Sequence, residues 1–313
     1  MCLAAFLFYA SFYLLLPLLP ALVEGQISLV PSQTAMLFVA CGGALLAVGP
    51  FHAYLGDTYK RKYVLMTGIT AVALSLAGIL YAEEYVQWLC LMALLGAGIG
   101  IASAAGITVA IDITASSRRS SGNEAFAWAG RLGMLAGVLL GVVLHPLLSL
   151  NQLVYLAVGL DVCALLVVSQ VYVAFRAPIG LPLLSFDRFF LPRAWLPFFN
   201  LWLLAFATGI LLPLLDEGHC WWALIPLLVL TLCATLFTKL FVGLSQHCQR
   251  STANTTCHLA LDLGVLVGLV FFSLHSSSGD SLFVAEVGGI STAAALLCYL
   301  LATHPYYKKK RLR

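Results

Sequence analysis

Charge is what this sequence has least of. Asp, Glu, Lys and Arg together make up 9% of it, against about a quarter in an ordinary soluble domain, so a water-facing globular surface is excluded. A net charge of +3 leaves no basic footprint of the size nucleic acid needs, and no nucleic-acid partner is expected. Reaction chemistry is equally thin: there is no G-x-x-x-x-G-K-[ST] phosphate loop and no H-E-x-x-H helix. The chain does not read as an enzyme. Its nine cysteines form no C-x-x-C pair and no His/Cys spacing that suits a metal. They read as small apolar packing residues, and neither a metal nor another cofactor is expected.

What is abundant is apolar. Of 313 residues 62% are hydrophobic, and the mean hydropathy is +1.00, which predicts a polytopic helical membrane protein whose solvent is the lipid bilayer. Runs long enough to cross a hydrocarbon core of roughly 30 Å fall near 3–22, 35–56, 63–81, 86–112, 123–148, 152–175, 195–215, 220–243, 257–275 and 281–303. The first lacks the basic region and cleavage site of a signal peptide and is expected to remain as a span, although its abrupt start leaves a start further upstream open. Of the 16 Lys and Arg, 14 lie in or beside alternate loops: Lys60 to Lys62, Arg118 and Arg119, Arg176, Arg188, Arg193, Arg250, and the tail from Lys308. The other loops carry acids such as Glu83, Glu84, Asp216 and Glu217 and no base. By the positive-inside rule the basic loops and both termini are cytoplasmic, and ten spans satisfy that alternation.

The chain also repeats itself. Arg119, Ser120, Asn123, Arg131, Gly133 and Gly137 are matched at a constant offset of 131 by Arg250, Ser251, Asn254, Asp262, Gly264 and Gly268. Leu14-Leu-Leu-Pro17-Leu-Leu19 is matched by Ile210-Leu-Leu-Pro213-Leu-Leu215, and an acid followed by Gly comes next in both copies. Two related helical halves follow, an organisation many membrane transporters use.

Ala53-Tyr-Leu55-Gly-Asp57-Thr-Tyr-Lys60-Arg61-Lys62 resembles the major facilitator superfamily, whose loop between helices two and three runs G-x-L-a-D-r-x-G-R-K. Leu55, Asp57, Arg61 and Lys62 match; Ala53, Thr58 and Lys60 depart. Asp112 followed by Arg118-Arg119 is similar to that family's pattern ahead of helix five. The resemblance implies an all-α polytopic membrane protein of about ten transmembrane helices in two pseudo-symmetric halves. It further implies a cytoplasmic gate of Asp57, Arg61, Asp112 and Arg119, in which the loop Asp caps a helix of the opposite half and the loop Arg pairs with the acid of helix four. Gly133, Gly137 and Gly141, every four residues, resemble the family's helix-five motif without its proline (Val138) and read first as a packing stripe. Leu94 stands where the family often carries an intramembrane Arg.

The expected organisation is a six-helix half over 1–175, a proline-rich cytoplasmic linker over 176–194, a four-helix half over 195–305 and a basic cytoplasmic tail over 306–313. Nothing after Glu217 corresponds to spans two and three, so the second half lacks two helices of the twelve the family has. One of them faces helix five across the interface in the family, and a homodimer would be one way to complete it.

Charges inside the bilayer are costly and mark pathways. Arg131 and Asp161 both lie ~15 Å deep at ~1.5 Å per residue, which predicts an ion pair within the first half, with a substrate or proton role as the other reading. His258 and Asp262, one turn apart, form either a proton-coupling site or a hydrogen-bonded acid that holds an interface. Cavity candidates implied by the resemblance are Tyr9, Ser11, Tyr13, Ser103, Thr108, Asn200, Trp202 and the threonines at 231, 235 and 238. The function implied is secondary active transport, proton-coupled export of a small organic solute across a bacterial inner membrane. The missing helices, Leu94 and Val138 support the rival, a non-transporting scaffold or partner subunit of the same fold.

Overall fold

The computed structural model describes residues 1–27, 29–115, 118–174, 178–215, 221–246, 249–275 and 281–312, without the side chains of Glu24, Arg119 and Ser281. In lipid the backbone must satisfy its own polar groups, and all regular structure among these residues is helical. The first span is α1 (Cys2–Leu15) with α2 (Leu19–Gln26); the second is α3 (Pro31–Val48) with α4 (His52–Thr58). Then come α5 (Arg61–Ile79), α6 (Tyr85–Ile113), α7 (Arg119–Leu144) and α8 (Leu150–Gln170). Beyond a linker holding the short α9 (Phe186–Phe189) lie α10 (Trp195–Leu211), α11 (Ile225–Leu232), α12 (Ala234–Gly243), α13 (Arg250–His275), α14 (Ser281–Cys298) and α15 (His304–Lys310). Proline removes an N–H that a helix interior needs, and the chain tightens into a 3₁₀ turn at each of Pro17, Pro50 and Pro213.

Among the described residues nine segments are long and apolar enough to span a membrane. The remaining expected span, 220–243, is a bent pair, α11 and α12, with 44° between them at Cys233.

The glycine stripe shows why the halves are related. α7 lies so close on α1 that Gly133, Gly137 and Gly141 each seat a carbonyl oxygen of α1, those of Phe6, Ala10 and Leu14, where a Cβ would stand. α13 repeats this on α10, with Gly264 and Gly268 against the carbonyl oxygens of Trp202 and Phe206. The contacts preserve both sequence offsets, 131 for the glycines and 196 for the carbonyls. Phe6 and Gly133 are 127 residues apart but Trp202 and Gly264 only 62, a shortfall of 65, the length of two spans with their loops. Asn123 donates through Nδ2 to Oδ1 of Asn254 at 3.1 Å. These two residues are equivalent in the repeat, so the bond lies on the pseudo-two-fold axis between the halves.

Across that axis α3 packs on α13, where Gly42 faces Leu263 and Leu266. The opposite side, left without its two helices, is closed by α12 against α7, with Lys239 Nζ 3.5 Å from Glu124 Oε2. Leu132, Leu139, Leu140 and Val143 of α7 stay exposed. Met1 and Ile111 pack on one small cluster of Ala5, Ile107, Ala110 and Phe126, while Leu312 N donates to Gly243 O and Tyr306 Oη to Arg193 O, each at 2.9 Å. Both described ends of the chain therefore lie on the side of the basic loops, and the tail is docked.

Candidate functional site

At that basic end Arg61 pairs with Asp112 through Nη1 and donates through Nε to Gly56 O at 3.2 Å. The pair ties the start of α5 to the last turn of α6. Lys62 Nζ caps α8, 2.6 Å from Ser169 O and 2.8 Å from Val171 O. Asp57 behaves otherwise than the resemblance implies. Among the described residues it caps no helix of the opposite half; its carboxylate accepts the backbone N–H groups of Ile179, Gly180 and Leu181 at 2.8, 2.9 and 3.0 Å. Gly180, at φ +78°, lets three successive N–H groups converge on one anion. The side chain of Arg119 lies outside the described residues.

The linker then runs on into the second half. Ser185 N donates to Pro50 O, Phe189 lies directly over Gly49, and Leu191 N donates to Thr256 Oγ1 at 2.9 Å. Beneath it is a vestibule of about 560 Å³, lined by Asp57, Arg61, Asp112, Arg188, Thr108 and Ser251 among others. It reaches Ile101 of α6, twelve residues from that helix's end or about 18 Å along it. Thr108 and Ser251 hydroxyls, 3.1 Å apart, bridge the halves in its wall. At the other end the Leu-Pro segments of the two halves, Leu14 to Leu19 and Ile210 to Leu215, are fully buried against each other.

Between these ends lies a buried polar cluster. Tyr9 Oη is 2.9 Å from His258 Nδ1, and the two rings lie nearly parallel, 13° apart with centroids 6.0 Å from each other. This bond joins the first half to the second. Tyr13, one turn on along the same face of α1, is buried with its hydroxyl unpartnered. Arg131, 5% exposed, points Nη1 at Met134 Sδ at 3.3 Å, contacts the Cys257 thiol, and sets its charge against Tyr9, His258 and Asp262. Arg131 and Asp262 occupy equivalent positions of the repeat, and the Arg131 charge acts on Asp262 through space without an ion pair between them. Asp262 is twelve residues along α13, about 18 Å, so the cluster and the floor of the vestibule are at the same depth.

The sequence matches the Major Facilitator Superfamily over residues 1–311. The chain belongs to that superfamily. No curated protein matches it in sequence. Among solved structures it is similar to the E. coli xylose transporter XylE in its inward-open conformation (TM-score 0.64, 12% identity, 96% of this chain and 94% of that one). It is similar too to the peptide transporter POT (TM-score 0.67, 11%, 99% and 94%) and to the human organic anion transporter MFSD10 (TM-score 0.59, 16%, 95% and 97%). At these identities the likeness is one of fold. This major facilitator protein is thus a multi-pass membrane protein with a transporter fold, and its superfamily is not one of enzymes.

Several expected site residues lie elsewhere in this superfamily member. The Arg131 to Asp161 ion pair does not form: Asp161 is fully buried between α8 and α1 and bonds Ser11 at 2.6 Å. Equal depth fixed the level of the two charges but not the side of the helix each faces. Ser103 lines a gap of about 20 Å³ inside the first half with Tyr9, and its hydroxyl turns to Gly100 O at 3.4 Å. Asn200 is a tie between α10 and α14, donating to Ala295 O at 2.6 Å. Trp202 stacks between Phe199 and Phe206. Thr231 and Thr238 bond their own helices. Sequence reasoning missed Glu124, Cys257 and the linker cradle. The last had a signal, Gly180 set between Pro178 and Pro182, a turn pattern that places a positive-φ residue.

Proposed function

We propose that this chain is a proton-coupled secondary transporter that exports a small organic solute across a bacterial inner membrane, working by alternating access between its halves. The observation that carries this reading is the Tyr9 to His258 bond, which crosses the interface beside Arg131 and Asp262 at the depth the vestibule reaches. Titratable groups shared between two halves have to separate or re-pair when the halves rock, which ties a proton to the motion. Arg61 with Asp112, Asp57 in its cradle, and Arg119 are the proposed gate, in which the linker strap is a working part. The vestibule exceeds a sugar or dipeptide in volume and carries both signs of charge, which fits a polar or zwitterionic solute.

The test is transport by the full chain in proteoliposomes under an imposed proton gradient, screened against a panel of sugars, organic anions and dipeptides. At least one class should move faster with the gradient than without it, and His258→Ala and Asp262→Asn should each abolish the gradient-driven part. Gradient-driven transport that survives both substitutions overturns the coupling site. A parent protein that moves no member of the panel overturns the transporter reading in favour of the scaffold.

A further inference from the structure

Asp161 belongs to no part of the site above. Its side chain is 0% exposed in a membrane interior where an unpaired carboxylate costs several kcal/mol. α8 packs on α1 and α5. α5 offers no titratable side chain from Val64 to Ile79, the tyrosines of α1 hold the cluster on its other face, and among the described residues Ser11 is the side chain that bonds Asp161. Oδ1 is 2.6 Å from Ser11 Oγ, and Oδ2 has no hydrogen-bond partner among the described residues.

The hydrogens decide its state. Ser11 Oγ lies 2.6 Å from Asp161 Oδ1 and 2.8 Å from the Phe8 carbonyl oxygen, yet a hydroxyl has one hydrogen to donate. A serine within a helix bonds back to the preceding turn. With its hydrogen on Phe8 O, Ser11 Oγ is an acceptor, and the 2.6 Å contact then requires a hydrogen on Asp161. The other assignment leaves a fully buried carboxylate with a single neutral donor and no cation.

We infer that Asp161 is a neutral carboxylic acid in this conformation, donating to Ser11, and is a proton-binding site separate from the cross-half cluster, loaded and unloaded as α1 moves against α8. Residues two apart on a helix point about 200° from each other. α1 thus holds the acid through Ser11 on one face and His258 of the other half through Tyr9 on the opposite face. When α1 shifts, water enters the α1/α8 seam, the Asp161 O–H bond breaks, its proton passes to that water, and the carboxylate left behind is hydrated. The protonation state stands on the geometry alone; its link to motion rests on the transporter reading.

Infrared spectroscopy of the full chain in nanodiscs at neutral pH tests both parts without a solute. The difference between parent and Asp161→Asn should contain a carboxylic-acid carbonyl band that exchanges slowly in deuterated water, and Ser11→Ala should shift that band while leaving it present. Carboxylate bands in place of the acid band overturn the proposal. Should Asp161→Asn fail to fold, the band shift in Ser11→Ala decides alone, and an unmoved spectrum overturns it. Tyr9→Phe, which frees α1 from His258, should speed deuterium exchange of the band several-fold. An unchanged exchange rate overturns the link to α1. A lost acid band beside intact gradient-driven transport would sink the proton site without touching the transporter reading.

Discussion

The two halves use one packing device with different chemistry beside it. In both, glycines four residues apart on one helix seat the carbonyls of the half's opening helix, α7 on α1 and α13 on α10. In both, a buried polar bond ties that opening helix to the last helix of the half. In the first half the tie is Ser11 to Asp161; in the second it is Asn200 to the Ala295 carbonyl. Position 161 corresponds at the repeat offset to Thr292, whose hydroxyl bonds Gly288 of its own helix. The first half therefore holds a titratable tie and the second a permanent one. Backbone proximity is common to both halves, while of the two ties only that of the first half carries a titratable group.

That comparison can be broken most sharply at the glycines. Gly137→Leu and Gly268→Leu each push a side chain into a carbonyl of the neighbouring helix, and each should cost about 3 kcal/mol or more, overpacking at its severe end. Thermal unfolding in detergent measures it. Unequal losses would mean that the two seams are not equivalent. A smaller effect is expected on the axis itself. Asn123→Ala and Asn254→Ala should couple by about 1 kcal/mol in a double-mutant cycle, and additivity would show that the bond does not join the halves. The smallest is expected where the two missing helices leave α12 on α7. The Lys239 to Glu124 pair, with Lys239 61% exposed, should contribute under about 1 kcal/mol by the same cycle, and a larger coupling would make it a main closure of the interface.

Much of this was legible in advance. Hydropathy places helices because lipid permits no other backbone arrangement for a chain of this kind, and the repeat offsets reappear in the glycine contacts. Arg61 and Asp112 meet as the resemblance implied. The misses have a common cause. Arg131 and Asp161 were matched by depth, but depth leaves the angular position around each helix free, and their helices turn them to different partners. The Asp57 cradle was missed because its donors are backbone N–H groups, which no side chain announces. Cys257 looked like packing, since nothing in sequence brings α13 to Arg131.

By itself the sequence determined that the chain is helical, membrane-spanning and built as two halves of unequal length, because those properties follow from local composition and from spacing along one chain. The tertiary structure alone decided which faces meet. It set Tyr9 against His258, Asn123 against Asn254, and Ser11 against Asp161. Each of these bonds joins residues more than a hundred positions apart, whose contact depends on how the rigid helices rotate and pack rather than on any residue's own preference.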